Sequence, residues 1–318
     1  MATDNTFLRA FCSLGTMNED GLHTGGISGF LKSVGYAIKL LKPERCVIVF
    51  DGPGGSLKRR KIYPEYKDHK KTKIRLNRIY EDDIGLDGEE KNLKKQLQRL
   101  VSYLSILPVH MLSLDHVEAD DTMAYCALDC FKNWGVYLMS SDKDFLQLVD
   151  DRVKVWSPTR KKLYSPQDVL NEYGIHPKNF VIYRALDGDT SDNIPGVKGC
   201  GLKTIIKYFP FLSEDRKVEV SEVLKHCEKN INSGKKIYQK ILDNKSDVDR
   251  NFELMQLVDT AIQTHAQLKV NEILDTQKPK MNRYEFITLM SEDKMLNNIP
   301  NSNFWLNEVF TKLDYFIK

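Results

Sequence analysis

Two short apolar runs, Cys46–Phe50 and Val136–Met139, both give way to aspartate as they end, at Asp51 and at Asp142 after Ser140 and Ser141. Runs this short, with β-branched residues and with proline or glycine at their borders, suit strands buried on both faces. Segments of helical period surround them. Ile27, Phe30, Leu31, Val34, Ile38 and Leu41 space a helix over 26–42 that Pro43 closes. A long helix is expected over 89–107, a strand over 108–112 and a further helix from Ala119 to Trp134. Strands alternating with helices in this way predict an α/β domain with a largely parallel sheet.

Crossover helices bring the carboxyl ends of parallel strands to one edge, where ligands bind. That edge would collect Asp51, Asp142 and Asp144, while Glu118, Asp120 and Asp121 begin the helix at Ala119. Glu118 and Asp121 lie three apart and share a face. Taken singly, each acid reads more readily as a turn former or as a partner of the helix dipole than as a ligand. Taken together they repel one another unless a cation sits among them. Hard oxygen donors with room for water select magnesium or manganese.

Beyond Tyr164 the pattern turns helical, and a boundary is expected near 165–175. The segment Asp187–Thr204 carries two further acids, Asp189 and Asp192, and then Gly196-Val-Lys198-Gly199-Cys-Gly201-Leu-Lys203-Thr204. This spacing describes a tight turn between helices whose outward amides can accept phosphate. Glycine is expected there for positive φ and for close approach of the backbone to a nucleic acid.

Net charge is +3, from 47 basic and 44 acidic residues, so the balance alone says little about partners. The distribution says more. Bases crowd Lys58–Arg78, whereas acids gather at 115–121, 142–144 and 187–192. Such blocks suit a chain that grips a polyanion with one surface and cleaves it at another. No apolar run is long enough to span a bilayer. The amino terminus lacks the apolar core of a secretory signal, and the scattered cysteines form no zinc or disulfide framework; the cytoplasm is therefore expected, the host's if the chain is phage-encoded. His23, His110, His116 and His265 show no catalytic spacing and read as structural.

The string G-D-T-S-D-N-I-P-G-V-K-G-C-G-L-K-T, with V-E-A-D-D at 117–121 and S-S-D-K-D at 140–144, resembles the 5′ nuclease family. That family includes the amino-terminal domain of bacterial DNA polymerase I, phage 5′ exonucleases and ribonucleases H, and flap endonucleases. The likeness covers roughly 5–262, and the stand-alone size resembles a phage enzyme. The resemblance implies a PIN-like (resolvase-like) parallel sheet flanked by helices over 1–170, with a basic arch at about 56–88. A helical DNA-binding domain with a helix-turn-helix (helix-hairpin-helix-like) element would follow over 171–262, then a helical extension over 263–318 whose role the sequence leaves unread.

The resemblance also implies site roles. Asp51, Glu118 and Asp120 would hold a first Mg2+, and Asp121, Asp142, Asp144, Asp189 and Asp192 would surround a second, with Mn2+ as a substitute. Arg59 and Lys67 would be catalytic, Lys67 by touching the reacting phosphate. Tyr63, Tyr66, Lys70, Lys71, Gly196, Lys198, Gly199, Gly201, Lys203 and Thr204 would bind nucleic acid, the tyrosines by stacking on unpaired bases. A K+ ion would sit in the glycine turn. The implied activity is 5′-3′ exonuclease and 5′-flap endonuclease cleavage of branched or nicked DNA or RNA–DNA hybrid, with RNA-primer removal, by a monomer that meets a replication protein.

The sequence departs from the family at its amino end. Asn5 and Arg9 keep the family's spacing, but Ala2 stands where an aspartate is usual, and Asp4 lies two positions late. A start further upstream is expected. The competing reading is a junction-binding protein that cuts weakly or not at all. A PIN-type ribonuclease shares the acidic edge but accounts for neither the glycine turn nor the basic run.

Overall fold

α1 (Thr3–Ser13) and α2 (Gly25–Leu41) pack as a pair in the computed structural model, which describes residues 3–68, 85–258 and 262–316. α2 forms where the period requires it: Ile27, Phe30, Leu31, Val34 and Ile38 are all buried. It ends where Lys42 turns left-handed at φ 49° and returns its N–H to the Ile38 carbonyl. β1 (Val47–Phe50), α3 (Leu57–Ile62), α4 (Gly85–Ser105) and β2 (His110–Ser113) follow. β1 pairs parallel with β2, in register from Val47 with His110 to Phe50 with Ser113.

α5 (Ala119–Tyr125) does not run to Trp134 as a single α-helix. It widens into a π-turn over Cys126–Cys130, closed by the Phe131 N–H on the Cys126 carbonyl at 2.9 Å. Arg152 then satisfies the carbonyls of Ala127, Phe131 and Trp134 and ends the segment. β3 (Val136–Met139) pairs parallel with β4 (Val153–Ser157), and β5 (Lys162–Tyr164) runs antiparallel to β4. The alternation had singled out neither β4 nor β5. Among the described residues no ladder joins the β1–β2 pair to the β3–β4–β5 sheet, so the parallel strands lie in two pieces.

The helical half contains α6 (Pro166–Tyr173), α7 (Phe180–Asp187), the short antiparallel pair β6 (Gly188–Asp189) and β7 (Ile194–Pro195), and α8 (Leu202–Tyr208). Ser165 starts it with a capping box closed by Asp168. α9 (Val220–Asn230), α10 (Lys236–Asp243), α11 (Lys245–Met255) and α12 (Thr264–Thr276) complete it. One continuous apolar core runs from Leu138, Phe145 and Val155 through Phe180, Leu186 and Ile205 to Val248, Leu254 and Val270.

The last helices do not hang off this body. α13 (Arg283–Glu292) and α14 (Ser302–Phe316) bury Phe286, Met290, Leu306 and Phe310 against Phe30, Leu100 and Tyr103 of α2 and α4. Arg99 pairs with Glu292 and Asp293, and the Tyr103 hydroxyl donates to Asp293 at 2.7 Å. Residues 281–313 therefore help build the core of the amino-terminal half. None of the described helices is long and apolar enough to cross a membrane.

Candidate metal and nucleic-acid site

Asp51 leaves β1 and accepts the Ala119 N–H at 2.7 Å, which seats the start of α5 over the strand end. Glu118, the residue before α5, is buried and is held from three sides. Lys67 donates its ammonium at 2.8 Å, the Tyr66 hydroxyl donates at 3.2 Å, and Arg59 donates a short hydrogen bond. Asp121, one turn on, accepts the Arg59 guanidinium through both terminal nitrogens at 2.7 and 2.8 Å. Arg59 is fixed from behind by the Leu254 carbonyl at 2.8 Å.

The second set forms at the end of β3 and in the loop after α7. Asp142 caps a 3-10 turn over Lys143–Leu148 by accepting the Asp144 N–H at 2.8 Å. Arg184, in the last turn of α7, donates from Nε to Asp144 at 2.6 Å, from Nη1 to the Gly188 carbonyl at 3.1 Å, and from Nη2 to Asp189. Asp189 also takes the Ser191 N–H and hydroxyl at 2.7 and 2.6 Å. Asp192 receives the Tyr66 hydroxyl at 3.2 Å, and its carbonyl receives the Lys67 N–H at 3.0 Å. Asn193 bonds the Glu65 carbonyl at 2.8 Å. The loop after α7 is thus tied down to the segment after α3.

The acids share one field. Burial, with the Asp142, Glu118 and Asp51 charges, pushes Asp120 well above the usual carboxylate range against the pull of Lys67. Burial and the nearby Asp142 push Asp144 up to about 7 despite Arg184. Burial, aided by Asp192 and Asp189, also raises Asp142. Burial works against the Asp189 carboxylate, but Ser191 and Arg184 hold it below its ordinary value. Burial would lower Lys67, yet Glu118 and Asp192 hold it above its ordinary value, as an ammonium.

Among the described residues no three acids close on one point as a finished ligand set. Arg59, Arg184 and Lys67 hold oxygens of Glu118, Asp121, Asp144 and Asp189 instead. The donor chemistry still fits a hard divalent cation, because every donor is a carboxylate. The raised Asp120 also marks a spot where these cations leave negative charge uncompensated. A cavity of about 470 Å³ opens beside the second set, lined by Asp142, Arg184, Asp187, Asp189 and Ser191.

Two expectations need correction. Tyr66 is 3% exposed and spends its hydroxyl on Glu118 and Asp192, so it braces acids and offers no face to an unpaired base. Tyr63 is half-buried under the Arg250 guanidinium, 4.4 Å from its ring centre. In the glycine turn the reasons differ by position. Gly199 has φ +96°, while Gly196 is required by close approach, since a Cβ there would lie 2.1 Å from the Asp187 carbonyl oxygen. Gly201 sits at φ −71°, which any residue adopts. Gly196, Lys198, Gly199, Gly201 and Lys203 are exposed and Thr204 half-buried, on one solvent-facing turn. Lys70, Lys71 and the rest of residues 69–84 of the arch lie outside the described residues.

Sequence reasoning missed Arg184 and Lys240. An arginine in the last turn of a buried helix, four residues before Gly188-Asp189, was the available signal for the first. Lys240 reaches from α10 to the Lys198 carbonyl at 3.2 Å, a contact that no local pattern announces.

A family profile described as the 5′-3′ exonuclease N-terminal resolvase-like domain matches residues 3–174, and the 5′-3′ exonuclease C-terminal SAM fold matches 175–281. A 5′-3′ exonuclease of Aquifex aeolicus is 30% identical over 291 residues, 89% of this chain and 90% of that protein. DNA polymerase I of Bacillus subtilis is 29% identical over 293 residues, 89% of this chain but 30% of the polymerase. Among solved structures, a bacteriophage T5 flap endonuclease complexed with DNA and metal ions matches with TM-score 0.57 and 20% identity, covering 84% of this chain and 90% of that one. Flap endonuclease-1 from Methanococcus jannaschii matches with TM-score 0.50 and 17% identity, covering 99% and 91%.

Proposed function

This chain belongs to the 5′-3′ exonuclease family of nucleases, and from that premise we propose that it is a structure-specific 5′ nuclease that hydrolyses phosphodiesters at flaps and nicks with divalent cations. The observation that carries the reading is the convergence of acids from both halves. Burial raises Asp120, with the charges of Asp142, Glu118 and Asp51 adding to it, and burial raises Asp142, with those of Asp192 and Asp189 adding to it.

Asp51, Glu118 and Asp120 would hold one ion, and Asp121, Asp142, Asp144, Asp189 and Asp192 would border another, Mg2+ or Mn2+. Bound there, such ions supply Lewis-acid charge that stabilises the oxygens of the phosphate in flight. The chain's own residues do the rest. Lys67, fixed on Glu118, presents a permanent ammonium beside the acids, where an incoming phosphate replaces a carboxylate as its partner. The exposed turn from Gly196 to Thr204 offers amides and lysines to a duplex backbone, with K+ as a further ligand of its carbonyls. Removal of RNA primers by a monomer working beside a replication protein is part of the same proposal.

A junction-binding protein with little cleavage is the second reading, favoured by the arginines already seated on Glu118, Asp121, Asp144 and Asp189. End-labelled 5′-flap, nicked-duplex and RNA–DNA hybrid substrates separate the two. The nuclease releases short 5′ products in Mg2+ and none in EDTA. Tight flap binding without any product at enzyme excess would leave only the binder.

A further inference from the structure

Among the described residues, Arg184 is the side chain on which Asp144, after β3, and Asp189, after α7, meet. Its side chain is 7% exposed, and its donors go to Asp144, Asp189 and the Gly188 carbonyl. A guanidinium is planar, permanently charged and forked, so it fixes both the spacing and the rotation of two carboxylates; an ammonium, a point charge, fixes neither. Asp144 and Asp189 repel each other and belong to different segments of the chain. Without the fork nothing else among the described hydrogen bonds spans them.

We infer that Arg184 is a positioning residue for divalent-cation binding. It holds one oxygen of Asp144 and one of Asp189 and thereby fixes the two carboxylates relative to each other, with Asp189 in the wall of the cavity that Asp142 also lines. Arg184 itself touches no phosphate. The inference rests on the ion-binding reading above, and it competes with the opposite role, in which the guanidinium is a plug that an ion must expel.

The test is calcium titration of the full chain by calorimetry, with no nucleic acid present, on wild type, Arg184→Gln and Arg184→Lys, beside thermal melting in EDTA. Loss of a group that orients ligands from behind weakens ion binding by about 10–100-fold. Arg184→Gln is expected to show that weakening, and Arg184→Lys, which keeps the charge and loses the fork, an intermediate one. If Arg184→Gln fails to fold, Arg184→Lys alone decides. Unchanged affinity in a variant with a lowered melting temperature would make Arg184 merely structural and overturn the inference. Tighter calcium binding would make it a plug and overturn it too. Wild type that binds no calcium removes the ion-binding reading and this inference together; wild type that binds while the variants match it removes only the inference.

Discussion

Tyr66 donates its hydroxyl to Asp192 at 3.2 Å across a sequence separation of 126 residues, and shares the same proton with Glu118. Burial and the two carboxylates raise the phenol well above its ordinary value, so it stays a neutral donor at every working pH. One buried tyrosine thus stitches the acidic edge of the sheet to the loop ahead of the glycine turn.

Tyr66→Phe removes that donor from one buried carboxylate, Glu118, and one half-buried carboxylate, Asp192. The expected loss is about 1–3 kcal/mol of stability by urea unfolding, with flap affinity in calcium unchanged. The reverse pattern, full stability with weakened binding, would restore the stacking role.

Lys67→Ala should slow single-turnover cleavage far more than it weakens flap binding, because the ammonium is fixed on Glu118 beside the acids rather than spread on the outer surface. Equal losses in the two measurements would reduce this lysine to part of the grip.

Phe286→Ala should cost about 3–5 kcal/mol, since the ring is fully buried between α13 and the Tyr103 ring, 5.4 Å away centre to centre. A shift in the urea midpoint checks it. An unaffected midpoint would mean that the last helices are dispensable to the amino-terminal core.

In metal-free protein Asp144 keeps its proton up to about 7, well above an unfolded aspartate. The folded state therefore binds more protons between those two values, and stability falls as pH rises through that window. Asp144→Asn removes this contribution, so its stability in EDTA should decline less than that of wild type from about pH 4 to about pH 7. Parallel curves would show that Asp144 ionises normally.

The alternating pattern was legible because it is local: β1, β2, β3 and the helices α2 and α4 follow from apolar spacing and borders. Glu118 and Asp192 could be singled out, but not the fact that one lysine and one tyrosine join them, because a contact across 126 residues leaves no periodic trace. β4 and β5 hid for a different reason: Lys154 breaks the apolar run of β4, and β5 is three residues long behind the basic turn of Thr159 to Lys161. α13 and α14 showed their helical period but not their partner, since an amphipathic face does not say which core it completes.

The central claim is that these acids bind divalent cations to cut a nucleic acid, and Asp142→Asn tests it most directly. Asp142 contributes to the field that, with burial, raises Asp120, and it lines the cavity. Measured side by side on a 5′-flap substrate, the variant should retain wild-type affinity in calcium and lose cleavage in magnesium. Near-normal turnover by Asp142→Asn would contradict the account.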